Sequence, residues 1–513
     1  MKRFLLGLTA LCLLAALLAG CGQTAEQPVS AGKTLVLGDT SFNPENEEPD
    51  INPQNAYSGW ACIRYGAGET LFRYNDRMEP EPWLAADWSR TDDLTWRITL
   101  RAGVQFSTGR TMDAAAVKEC LEQLVAVHNR AAGELDLAGI EADGLTLTIH
   151  TASPNPTLLN ALSDPCCCII DTRAGSDGGI VAGTGPYRAV ELVSGQRLEL
   201  EPNLLYWDGT PRLDHLPVRP ITDGDTLALA LQAGEIDAAY GMPYLNLPQF
   251  ENDGYTISST PTSRAFFVWM NFASPVTQDP AVRRAIAMGI DKESFVQVLL
   301  FGHGYVAKGV FPDSFSFAGD PDAPDYDPEG ARQLLEQAGW TDTDGDGIRE
   351  KDGQELCIRW LTYPSRQELP LLAECARYTL EQIGIRVEIT CTAAHNTLRT
   401  DPGAWDVYAS AMVTAPTGDP AYFFSSCCLD DSPANNGGYH SDRLEALARQ
   451  LDATFDPAQR GKLAGQMQQI LLDDNAYVFC SHLQMNLIAR AGVTGLTAHP
   501  CDYYEITAEL DVE

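Results

Sequence analysis

Apolar and polar positions alternate in three short stretches, Leu94–Leu100, Leu145–Ile149 and Arg197–Glu201. Successive side chains of a strand point to opposite faces, so a period of two predicts strands with one buried face. Elsewhere the apolar spacing is three to four. Val282, Ile286 and Ile290 follow Asp279-Pro280; Leu334, Leu335 and Ala338 follow Asp327-Pro328; Leu463, Met467, Ile470 and Leu471 follow Asp456-Pro457. An aspartate cap followed by proline, whose missing N–H costs nothing in a first turn, predicts a helix start at each. Ser441 caps a fourth helix carrying Leu444, Leu447 and Leu451, and Gly339 predicts the end of the second. Strands and helices are intermixed, which predicts α/β lobes rather than a bundle or a sandwich.

The first twenty residues form a different object. Lys2 and Arg3 precede an uncharged run from Phe4 to Gly20, the charged and apolar regions of an export signal. Leu18-Ala19-Gly20-Cys21 resembles the lipobox of bacterial lipoproteins. That resemblance implies cleavage before Cys21, a lipid on its sulfur and a membrane-held chain on the extracytoplasmic side. Residues 21–34 are small, polar and unpatterned and read as a tether.

The 513-residue length predicts several domain-sized units. Acids outnumber bases 70 to 35, for a net charge of −35, and such a surface repels nucleic acid. No G-x-S-x-G or H-E-x-x-H is present, no G-x-G-x-x-G is completed, and the eight histidines show no helical pairing, so no catalytic constellation is encoded. No C-x-x-C occurs among the fourteen cysteines, which argues against a zinc ribbon or a thioredoxin-type pair. Asp342, Asp344, Asp346 and Gly347 match positions 1, 3, 5 and 6 of a calcium loop. The twelfth position is Gly353 rather than a bidentate Glu, which favours a plain Asp/Gly turn before a hairpin.

Several ordered motifs then resemble one family, the solute-binding receptors of bacterial peptide and nickel ABC importers (solute-binding family 5). They are Glu69–Tyr74, Pro82–Trp88 and Leu100–Phe106, then Gly183–Tyr187, Asn203–Gly209 and Gly234–Asp237. Val282–Lys292, Tyr326–Leu335 with Ala338–Trp340, and Gly418–Pro420 follow in the family's order. Gly347–Gln354, Val298–Ala307 and Tyr504–Leu510 look nearer to the nickel-type branch.

The resemblance implies a two-lobed, type II periplasmic-binding-protein-like α/β fold with a discontinuous first lobe. Lobe I is placed at 35–265 plus 486–513 and lobe II at 266–485, with a hinge of two crossing strands near Phe267–Asn271 and Met485–Asn486. It implies a non-enzymatic, monomeric receptor that binds nickel or another metal chelate between its lobes, needs no cofactor of its own, and serves a permease and an ATPase. A peptide receptor is the alternative, with a sensory lipoprotein and an exported hydrolase as further readings.

Cleft contacts are expected from Tyr57, Trp60 and Arg64, on a loop that faces the cleft in relatives, and from Thr414, Thr417 and Asp419 across from them. Asp419 is read either as a contact for an amine or as a helix cap. Nickel receptors carry an Arg near the segment corresponding to residues 162–168; here Ser163–Cys168 has none. The carboxylate anchor therefore moves, to Arg64 or Arg130, or the ligand differs. Cys166, Cys427 and His440 are the candidate direct metal donors, against the simpler reading of buried thiols.

Overall fold

The computed structural model describes residues 32–42, 50–55 and 59–513. The export signal, Cys21, most of the tether and Tyr57 lie outside the described residues. The alternating stretches are strands at Thr95–Leu100, Thr146–Thr151 and Arg197–Pro202. The capped starts open helices at Pro280–Gly289, Pro328–Gln337, Asp442–Asp452 and Pro457–Asp473. Each predicted cap accepts a main-chain N–H in the first turn, Asp279 from Ala281, Asp327 from Gly330, Ser441 from Leu444 and Asp456 from Gln459. Gly339 ends the second helix with φ +87°, a conformation that a side chain resists.

The architecture is mixed α/β. One eleven-stranded sheet runs through the molecule in the order 386–391, 357–362, 407–413, 255–270, 477–490, 238–240, 37–39, 216–220, 197–202 and 187–193, with 304–306 paired to 477–490. A separate antiparallel sheet joins 85–92, 95–100, 146–151 and 137–143. Buried side chains form two cores. One gathers residues from Leu35 to Val218 and recruits Ala489, Val493, Ile506 and Leu510 from the far end of the chain. The other gathers Leu227 to Phe250 and most of Ala265 to Cys480.

Two long strands, Tyr255–Met270 and Tyr477–Arg490, connect the halves as an antiparallel pair. Their register shifts twice. At the first shift Pro261 faces Gln484 and Ala265 faces His482, so three residues on one strand, Thr262 to Arg264, stand against Leu483 on the other. Surplus residues bend a strand and re-aim its side chains. This bend turns Thr262, Ser263 and Arg264 into the space between the halves. Just beyond it Phe267, Trp269, Tyr477 and Phe479 stack on one another and stiffen the pair.

Candidate functional site

A cavity of about 480 Å³ lies at the bend, within the range typical of small-molecule sites. Its walls come from both halves: Ser41, Trp60, Arg64 and Tyr240–Tyr244, then Thr262–Arg264 and Leu483–Asn486, then Ser365–Glu368, Val413, Ala415, Pro416 and Pro500–Tyr503. No local stretch of chain builds this space; it exists only where the long strands bring distant loops together.

Trp60 and Arg64 line the cavity, from the short helix Gly59–Arg64. Arg64 is already engaged. Its Nε donates to the Asp502 carbonyl at 2.9 Å and Nη1 to Ser41 Oγ at 2.8 Å, while Nη2 sits 3.3 Å from the Asp502 carboxylate. Its two faces carry Trp60 at 4.2 Å and Tyr240 at 4.0 Å. Arg64 therefore braces the floor, with little donor capacity left for a ligand carboxylate.

Arg264 and Arg366 are different. Both line the cavity, and among the described residues neither guanidinium meets a protein acceptor at bonding distance. Confinement, and then the nearby Arg264 charge, hold Arg366 below its ordinary range. Glu368, in the same wall, is pushed up by burial, with the two arginines acting in the opposite sense. Two unpaired planar cations beside one carboxyl form a site for a carboxylate-bearing solute, because each guanidinium offers a bidentate fork.

Sequence reading missed these residues. Arg264 is the one cation in a strand that runs on into Ala265–Met270, all of it apolar, and that interruption was the available signal. Arg366 and Glu368 stand at the start of the helix Glu368–Glu381, and nothing local separates them from ordinary surface charges.

Other expected contacts fall elsewhere. Arg130 does not line the cavity; it closes bidentately on Asp164, with both N–O distances 2.9 Å, and reaches Glu134 at 3.1 Å. The Thr414 hydroxyl is buried against the carbonyls of Ser263 and Val310, beneath the wall rather than on it. Thr417 and Asp419 line a second crevice of about 500 Å³ with Glu134, Asp136 and Tyr422. There the Thr417 carbonyl accepts from Asn160 at 2.9 Å, and Gly418 passes so close to the Met78 carbonyl that a Cβ would lie 2.2 Å from it. Asp419 stands one residue before Pro420, the cap of the helix Ala421–Cys427; one oxygen accepts from the Ala421 N–H at 2.8 Å and the other takes a buried ion pair from Arg460 at 2.6 Å. No amine needs to satisfy it.

The three candidate metal donors do not converge. Cys166 is buried with its sulfur 3.9 Å from that of Cys167, and Cys427 is buried 3.5 Å from the Met412 sulfur. Burial pushes the Cys427 thiol up to about 12, so it stays protonated. His440 is exposed on another surface, 2.8 Å from Asp430. The physical reason is packing: both cysteines serve as small apolar side chains. Among the described residues the one group of His, Cys, Asp or Glu with converging donors is Asp342, Asp344, Asp346 and Glu350, on an exposed turn away from the cavity. Glu350, at the ninth rather than the twelfth position, joins the aspartates there.

Behind the floor lies Glu505, with both carboxylate oxygens buried and without a hydrogen-bond partner. Burial pushes it up to about 8 from 4.5. Glu69 is pushed up to about 7, also by burial, despite donors from Trp207, Thr184 and Tyr206. The folded state holds these protons more tightly than the unfolded chain does. Their contribution is complete below about pH 4.5 and is lost as pH rises through 7 to 8. Melting curves between pH 5 and 9 are therefore expected to show falling stability. Glu505→Gln should flatten the fall, by a few kcal/mol at pH 9, since each tenfold change in proton affinity is about 1.4 kcal/mol. An unchanged slope in that variant would remove Glu505 as its cause.

The family model for bacterial extracellular solute-binding proteins, family 5 middle, matches residues 79–434. The nickel-binding protein NikA of Staphylococcus aureus is 26% identical over 498 residues, 97% of each chain. The glutathione-binding protein GsiB of Salmonella paratyphi A is 27% identical over 429 residues, 80% of this chain and 81% of the relative. Among solved structures, the nickel ABC transporter protein of Bacillus halodurans superposes with a TM-score of 0.83 at 30% identity, covering 94% of this chain and 100% of the other.

Proposed function

Because the chain belongs to the bacterial extracellular solute-binding proteins of family 5, we propose that its cavity receives nickel or another metal as a chelate, gripped through the chelator's carboxylates by Arg264 and Arg366. Proteins of this family are the substrate-binding receptors of ABC importers and work with permease and ATPase subunits. The observation that carries the ligand reading is the pair of arginines lining the cavity without protein partners. A chelate needs no metal ligand from Cys166, Cys427 or His440, since the chelator supplies its own donors. Likeness to the nickel-binding relative over 97% of the chain supports the same reading.

In this reading the molecule is a clamp. Lobe I, at 35–265 plus 486–513, closes on lobe II, at 266–485, about the bent strand pair, and the solute stabilises the closed form by binding it better than the open one. The presence of two buried cores supports two lobes, although Leu227 to Phe250 pack in the core of the second. A monomer is tethered through lipid on Cys21 at the outer face of the membrane and hands the solute to the permease; the lipobox-like Leu18–Cys21 supports the anchor. No helix among the described residues is long and apolar enough to cross a membrane.

A peptide is the second reading. Glu368 beside the arginines suits an α-amino group next to a carboxylate, and the glutathione-binding relative fits that pattern. Native mass spectrometry decides. With nickel(II) plus L-histidine in one arm, and glutathione and short peptides in the other, a nickel-bearing mass increment is expected. A peptide increment with no nickel species transfers the site to the second reading.

A further inference from the structure

Away from the main cavity an aromatic side chain crosses from one lobe to the other. Phe455 stands in the loop between the helices Asp442–Asp452 and Pro457–Asp473, within lobe II, yet it packs against the core of lobe I. Its ring lies 6.3 Å from that of Trp96, tilted by 40°, and the Arg90 guanidinium covers it at 3.7 Å. Both partners belong to the separate antiparallel sheet of lobe I, Arg90 in the strand Ala85–Asp92 and Trp96 in the strand Thr95–Leu100. They are braced in turn. Trp96 carries Trp88 at 5.5 Å, and Nη1 of Arg90 donates to Asp93 at 3.1 Å. A phenyl ring that meets an indole and a guanidinium gains from both, beyond the apolar area it buries.

The loop that carries Phe455 borders open space. Asp452 and Arg460, before and after it in the chain, line the second crevice, whose other wall is Gly133, Glu134, Asp136 and Ser153–Thr157 of lobe I. Phe455 therefore reaches lobe I as a peg beside a gap. Charge does not close that gap. Arg130 is spent on Asp164 within lobe I and Arg460 on Asp419 within lobe II, while the acids Asp136 and Asp452 stand on opposite walls. A hydrogen bond from Asn160 to the Thr417 carbonyl crosses at 2.9 Å, but on opening both groups exchange it for water at little net cost. The aromatic contact has no such replacement, because parting the lobes would return Phe455 and the face of Trp96 to solvent.

We propose that Phe455 is a latch, seated on Arg90 and Trp96, that holds the lobes together before solute arrives. This rests on the clamp reading above, in which the lobes move about the bent strand pair. With the latch engaged the empty receptor rests mostly in the closed form and opens at intervals to admit solute. Apparent affinity scales with the fraction of molecules already competent, so a latch that favours the closed form strengthens binding without touching the solute. Removing the ring and its two contacts shifts the closing equilibrium by about 10-fold toward the open form.

Small-angle X-ray scattering of the purified protein, alone and with nickel(II) plus L-histidine, tests this. The wild type is expected to give nearly the same radius of gyration in both conditions. Phe455→Ala should be larger when empty and return to the wild-type value with the chelate, and calorimetry should show its affinity lowered by up to about 10-fold. Arg90→Ala, a surface change with little risk to the fold, should expand the empty protein partway. Empty scattering identical to wild type from either folded variant overturns the latch. If the chelate compacts wild type and variants alike in that case, the clamp stands without it. An expanded empty Phe455→Ala that the chelate fails to compact supports the latch and overturns the chelate reading instead.

Discussion

Alanine at both Arg264 and Arg366 is expected to lower solute affinity by about two to four orders of magnitude. A charge-assisted hydrogen-bond pair contributes about 1.5–3 kcal/mol, and each 1.4 kcal/mol is about tenfold, so each arginine accounts for about 10- to 150-fold. Neither side chain holds another part of the protein, so the melting temperature of the unliganded protein should stay within about a degree, as for other surface changes. Lysine at either position keeps the charge and loses the fork, and should fall between alanine and wild type. Arg130→Ala is the control, since that guanidinium is spent on Asp164 and Glu134 outside the cavity. Isothermal titration with nickel(II)–histidine reads all of these variants. A double variant with wild-type affinity would remove the arginines from recognition.

Asp419→Ala should act on stability instead. Its carboxylate and the Arg460 guanidinium are both buried, at 9% and 7% side-chain exposure. Without Asp419, Arg460 keeps the Leu451 and Thr454 carbonyls, at 2.6 and 3.0 Å, but loses its counter-charge. Removing one partner of a buried ion pair costs about 3–5 kcal/mol, since the remaining charge is stranded away from water. A denaturant midpoint should shift accordingly, while solute affinity changes less than about twofold. Asp419→Ala with Arg460→Met should recover much of the loss, because the stranded charge goes with it. Intact stability with lost affinity would restore Asp419 as a ligand contact.

These two expectations rest on opposite fates of similar residues, and that contrast marks how far the sequence reads. Four helix starts and three strands were legible because their determinants are local. A cap reaches its N–H two or three residues away, and a strand's alternation is complete within about seven. The family's ordered motifs were legible for the same reason, being short framework turns such as Gly183–Tyr187. Of the cavity's lining, Trp60 and Arg64 were named through that resemblance, while Arg264, Arg366 and Glu368 were not.

By itself, then, the amino-acid sequence determined the α/β character, where capped helices begin, the family and a strongly acidic composition. Only the tertiary structure decided which charges are spent and which are free. Arg64 meets Asp502 across 438 positions, and Asp419 meets Arg460 across 41. Arg264 stays unpaired because the bend in the long strands sets it facing a cavity, and Arg366 faces the same cavity from the loop before the helix Glu368–Glu381. An arginine's reach to a carboxylate is a few ångströms in space, and spacing along the chain carries no record of it until the chain is folded.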